Sequence, residues 1–122
     1  MEEIRLHEGE LNVMELLMSN KELAARDIAK IIKEYIGWEK NTTYTVINRL
    51  IAKGAVERTD PGFICKAAIT KKKVQEIETG HLLSSLYGGS IGTFFAEYLK
   101  DRNLSKADLM ELQRIVNANK YR

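Results

Sequence analysis

The chain has 122 residues, 44% hydrophobic and 30% charged, with a formal net charge of +2. That size fits one domain or two very small ones with a modest core. No run of about 18 apolar residues occurs, which excludes a membrane-spanning helix; the single cysteine, Cys65, excludes an internal disulfide and fits a reducing cytoplasm.

The start, Met1-Glu2-Glu3-Ile4-Arg5, is acidic and lacks the apolar core of a secretory signal. A first helix is predicted from about Glu8 to Ser19 on Leu11, Met14 and Met18, flanked by Val13 and Leu17. After the connection Ser19-Asn20-Lys21, a second helix runs from about Ala24 to Ile36, with Ala24, Ile28, Ile31, Ile32 and Tyr35 at helical spacing and Gly37 as its stop. A third helix begins near Asn41, whose side chain can cap it, and ends at Gly54.

The third helix has two distinct faces. Thr43, Val46, Ile47 and Leu50 fall at i, i+3, i+4 and i+7, the spacing of a buried stripe. Asn41, Tyr44, Thr45 and Asn48 repeat that spacing one face over, with Thr42 on the first turn and Arg49 and Lys53 beside them. A solvated helix face is usually rich in Glu and Lys. Amides and hydroxyls suit base edges, because Asn pairs with adenine and Thr or Ser bonds to any base, and the flanking cations suit phosphates. An ordinary amphipathic helix with a bland polar face gives the same pattern, so this segment alone does not decide.

Beyond Gly54 the period changes. Ala55–Thr59 and Phe63–Ile69 read as strands on either side of Asp60-Pro61-Gly62, a turn in which Pro presets one φ and Gly accepts a positive one. Three short helices followed by a hairpin is the winged helix-turn-helix arrangement, with the third helix in the major groove and the wing along the backbone. Arg58 and Lys66 on the wing then meet phosphates. From Trp38 to Lys73 eight bases face three acids, a net of +5, whereas residues 1–37 carry −3 and residues 74–122 balance. A basic middle points to an anionic partner surface.

The remainder is helical. Thr70 can cap a helix to about Tyr87 carrying Val74, Ile77, Leu83, Leu86 and Tyr87, and Gly88-Gly89 breaks it. Ile91, Phe94, Phe95, Tyr98 and Leu99 then make a strong apolar face. Ser105 and Asp108 form a capping box, and Leu104 with Leu109 a hydrophobic staple, ahead of a last helix with Leu109, Leu112, Ile115 and Val116. Three short helices enclose little core alone, so these faces are expected to pair with a second copy of the chain; packing back onto the chain's own head is the alternative. The fold class is mainly α with a small β-hairpin wing. Residues 1–70 are expected to form a winged-helix DNA-binding domain and residues 71–122 a helical dimerisation domain.

At this point the chain resembles the penicillinase-repressor family of winged-helix repressors. Glu10-Leu11-Asn12-Val13-Met14 matches the family's first-helix pattern. Trp38, Thr42, Thr45, Arg49, Leu50, Lys53 and Gly54 match its recognition-helix pattern in order, and Tyr87-Gly88-Gly89-Ser90 and Leu104-Ser105 match its tail. The resemblance implies a cytoplasmic homodimeric repressor on a palindromic operator in double-stranded DNA, with release by an inducing event, for which a membrane sensor protease is one candidate partner. Three departures limit what carries over. The family's Asn-Phe cleavage bond aligns with Glu97-Tyr98, the paired C-terminal cysteines of copper-responsive members are lacking, and the second wing strand reads Ile64-Cys65-Lys66-Ala67 instead of being tyrosine-rich.

No catalytic constellation, cofactor motif or metal site is readable. His7 and His81 form no spaced pair with a carboxylate or cysteine, Cys65 reads as a small strand residue, and Gly88-Gly89 lacks the lysine of a phosphate loop. Two rival readings remain: a winged-helix module whose Asn41–Asn48 face binds a protein, and a regulator that answers a ligand without proteolysis.

Overall fold

A computed structural model describes residues 4–119; the acidic start at Met1-Glu2-Glu3 lies outside the described residues. Helices α1 (Glu8–Met18), α2 (Ala25–Tyr35) and α3 (Lys40–Ala52) lie close to their expected places. Each turns its apolar stripe inward: Val13, Met14 and Leu17 from α1, Ala25, Ile28, Ala29 and Ile32 from α2, and Val46, Ile47 and Leu50 from α3. Leu6, Ala55, Val56, Cys65 and Val74 complete one core. Burying each of its large aliphatic side chains is worth about 1.5–3 kcal/mol, offset largely by the entropy of ordering the chain. Gly54 closes α3 with φ +82°. Its N–H donates to the Ile51 carbonyl at 3.0 Å and the Ala55 N–H to that of Leu50 at 2.9 Å, the paired bonds of a Schellman ending.

The start of α3 differs from expectation. Glu39, not Asn41, is the N-cap, and its carbonyl accepts from the Thr42 and Thr43 N–H groups at 3.0 and 3.3 Å. Backbone geometry supplies the cap there with no side-chain bond, so Asn41 is two residues further in, within the first turn, and exposed.

Strands β2 (Val56–Thr59) and β3 (Ile64–Ala67) form the expected hairpin, shorter than the pattern suggested. A two-residue strand, β1 (Leu23–Ala24), was not anticipated. It pairs with β3, Leu23 opposite Cys65 and Ala24 opposite Ile64, giving an antiparallel sheet in the order β1-β3-β2. Two residues are too few to show an alternation, and Ala24 had been read as helical. Phe63 had been read as strand; it sits outside, at φ +50°, and its carbonyl accepts the Ala25 N–H at 2.9 Å. The wing is thereby hydrogen-bonded to the first turn of α2.

Helix α4 (Lys71–Leu86) is capped as predicted, with Thr70 Oγ1 accepting the Lys73 N–H at 3.0 Å. The expected domain junction falls at its start, while the chain separates into compact units Met1–His81 and Leu82–Arg122, inside α4. Val74 and Ile77 belong to the first unit and are buried. In the second unit, Ser90 caps α5 (Ile91–Leu99) through the Thr93 N–H, and Ser105 caps α6 (Lys106–Ala118) through the Asp108 N–H. Among the described residues, α5 and α6 bury no side chain fully; Phe94, Leu99 and Leu112 are half-buried.

Candidate nucleic-acid interface

Because Thr43, Val46, Ile47 and Leu50 are locked inward, the helical period points Asn41, Thr42, Thr45, Asn48 and Arg49 outward, and all five are exposed. The buried stripe thus orients the polar one. Thr45 Oγ1 donates to the Asn41 carbonyl at 2.9 Å. Its hydroxyl hydrogen is used within the helix, leaving its lone pairs to accept from an outside donor. Tyr44 is half-buried, its ring edge-on to Phe63 at 5.7 Å, with the Lys40 ammonium 5.6 Å from its centre.

Lys53, expected at a phosphate, is engaged within the chain. Its ammonium donates to Glu10 Oε1 at 2.6 Å and to the Arg5 carbonyl at 2.8 Å. Glu10 is only 3% exposed, and the Lys53 side chain 29%. Burial pushes the Glu10 carboxyl up, but the bonds from Lys53 and from the His7 N–H, with the Lys53 and His7 charges, outweigh it, and the group titrates below its ordinary value. Lys53 ties the end of α3 to the start of α1. A charge already committed to a buried carboxylate is poorly placed to serve a phosphate.

On the wing, the Arg58 guanidinium lies 3.5 Å from the centre of the Phe63 ring. Its Nε faces both carboxylate oxygens of Asp60, at 3.2 and 3.0 Å. Asp60 Oδ1 also accepts the Phe63 N–H at 3.3 Å. Tyr44, Phe63, Arg58 and Asp60 therefore form one tier joining α3 to the wing. Lys66 is exposed on β3 and sits across from Glu57. Phe63, Asp60 and Lys40 were missed as site residues. The spacing of Arg58 and Asp60 on a turn was the one available signal, since nothing in sequence marks a phenylalanine that will adopt a positive φ.

The other singled-out residues separate cleanly. Cys65 is fully buried, and burial pushes its thiol up, with Arg58 offsetting this in part, so it is a packing residue and not a reactive thiolate. Among the described residues no three His, Cys, Asp or Glu side chains gather as a metal site. Of the expected dimer residues, Leu83, Tyr87, Phe94, Leu99 and Leu112 are half-buried, while Leu86, Ile91, Phe95, Tyr98 and Ile115 are exposed, Leu86 at 68%. Tyr87, Phe95 and Tyr98 gather around Phe94 with ring centres at 5.0, 5.1 and 5.4 Å. Glu97 and Tyr98 lie inside α5, and Arg102 stacks on the Tyr98 ring at 4.0 Å.

Comparison with known proteins agrees with this architecture. A family model described as penicillinase repressor matches residues 6–118. The penicillinase repressor of Bacillus licheniformis is 24% identical over 120 residues, 97% of this chain and 94% of that protein. That of Staphylococcus aureus is 23% identical, covering 94% and 93%. The methicillin resistance regulatory protein MecI of Staphylococcus aureus strain N315 is 22% identical, covering 89% and 90%. The solution structure of the DNA binding domain of the repressor BlaI superposes with a TM-score of 0.55 at 25% identity, covering 60% of this chain and 93% of that one.

Proposed function

The chain belongs to the penicillinase repressor family, and from that premise we propose that it is a transcriptional repressor that holds a palindromic DNA operator as a homodimer in the cytoplasm. The observation that carries this reading is the exposed, uncharged polar face of α3, oriented by its buried stripe and flanked by a wing that carries Arg58 and Lys66. Asn41, Thr42, Thr45 and Asn48 read base edges in the major groove. Arg49, Arg58 and Lys66 meet phosphates, and Tyr44 with Phe63 fixes the wing's angle to α3. Nothing in the site has the make-up of an enzyme's, in keeping with a family of DNA-binding regulators.

Assembly follows from the second unit. A helical unit with Leu86, Ile91, Met110 and Val116 each more than half exposed has apolar surface to cover, and a second copy supplies a self-complementary face under two-fold symmetry. A two-fold axis sets the two α3 helices about 34 Å, one DNA turn, or a multiple of it apart, which matches an operator with inverted half-sites.

Fluorescence anisotropy of the full chain on duplex DNA across a salt series tests the reading. Binding to duplex should weaken steeply with salt, by about 0.9 log units per log unit of salt for each phosphate neutralised. Salt-insensitive binding, or none, would favour the rival in which the α3 face docks a protein.

A further inference from the structure

The Arg58 guanidinium is the cation best placed on the wing, yet it is already occupied. It lies over the Phe63 ring, 3.5 Å from its centre, and its Nε faces both oxygens of Asp60 within 3.2 Å. The carboxylate occupies the position a DNA phosphate takes on an arginine: an anionic, two-oxygen acceptor beside Nε. Asp60 is itself exposed, and so is Glu57 on the same wing, but only Asp60 has an ion pair with Arg58 among the described residues.

We propose that Asp60 is an autoinhibitory residue of the wing, an intramolecular stand-in for phosphate that keeps Arg58 neutralised until α3 has fitted its site. The inference rests on the DNA-binding reading. On random DNA the complex is loose, and a phosphate separated from the wing by water does not compete with a direct 3.0 Å pair backed by an aromatic face. On the operator, the fit of α3 brings a backbone phosphate against the wing, and it displaces the carboxylate. Phe63 keeps the guanidinium in place during the exchange, so the side chain need not be reordered.

The consequence has a definite sign. If phosphate displaces Asp60 on the operator, the displacement costs less than the contact gains. Removing the carboxylate therefore returns the full cost of the pair to operator binding, but gives random DNA only a contact weaker than that pair, since a stronger one would displace Asp60 there too. Asp60→Asn should tighten both complexes, and the operator more. An exposed arginine pair of this kind is worth a factor of about two to five, so the ratio of operator to random affinity should rise, by up to that factor. The salt slope on random DNA should steepen by about 0.9, one added phosphate.

The test uses the full chain, an operator enriched from a randomised duplex library, and a random duplex, with anisotropy read across a salt series. Asn keeps an oxygen for the Phe63 N–H, and an unchanged thermal midpoint certifies the fold. Glu57→Gln removes the same charge from the wing without touching Arg58, and should leave the ratio unchanged. In an Arg58→Ala background, Asp60→Asn should lose its effect on the ratio. Equal tightening on both DNAs, an equal effect from Glu57→Gln, or persistence of the effect without Arg58 would each overturn the proposal. Asn48→Ala serves as the independent check: if it too leaves operator binding untouched, the DNA reading fails, and not only the role of Asp60.

Discussion

Lys53→Met separates two roles that the sequence alone merges. In the wild-type chain the Lys53 ammonium is 2.6 Å from a Glu10 carboxylate that is 3% exposed. A hydrogen bond between charged groups contributes about 1.5–3 kcal/mol, and stranding a fully buried charge costs about 3–5 kcal/mol. The 29% exposure of Lys53 lets water share the site, so the loss should be about 2–4 kcal/mol, a large part of a typical total near 5–15 kcal/mol. Glu10→Gln should cost less, about 1–2 kcal/mol, because the freed ammonium can turn to solvent. Urea unfolding at fixed protein concentration, at neutral and acid pH, measures this. The folded Glu10 titrates below its unfolded value of 4.5, so its contribution is whole above that pH and drains away as pH falls through and below it. Lys53→Met should flatten that acid dependence, since burial of the carboxyl is then opposed only by the His7 N–H bond and the His7 charge. The salt slope of DNA binding should not move. A variant as stable as the wild type whose salt slope falls by about one unit would refute this and return Lys53 to the phosphates.

Asn48→Ala should weaken operator binding by about 1–3 kcal/mol and relax sequence preference in a selection assay, whereas Thr45→Ala should cost less because its hydroxyl hydrogen is spent on Asn41. Truncation after His81 should leave a folded fragment that sediments as a monomer, while truncation after Thr70 should fail to fold, since Val74 and Ile77 are buried in the first unit; a dimeric His81 fragment would place dimerisation elsewhere. The Glu97-Tyr98 bond is helical, with Tyr98 stacked on Phe94 and beneath Arg102, so immunoblots of the native host after a beta-lactam challenge should show the full-length chain persisting; a fragment ending at Glu97 would contradict that.

The helices were legible because three stripes of Leu, Ile, Val and Met at helical spacing leave few alternatives, and Asp60-Pro61-Gly62 announced the hairpin. The polar face of α3 was legible for the same reason: once Thr43, Val46, Ile47 and Leu50 go inward, Asn41, Thr45 and Asn48 have one direction left. What sequence hid depends on partners distant in the chain. Lys53 looks like any flanking cation until Glu10, 43 residues away, is found beside it. Phe63 looks like a strand residue until its positive φ and its place between Tyr44 and Arg58 are seen. Strand β1 exists only because β3 offers it an edge.

The most direct test of the central claim is enrichment of a randomised duplex library by the full chain, followed by sequencing of the bound DNA. An inverted repeat should emerge, its half-site centres about 10 base pairs or a multiple apart, bound at least about 10³-fold more tightly than random duplex. A library that stays random, or an enriched sequence with a single half-site, would contradict a homodimer that reads a palindrome through α3.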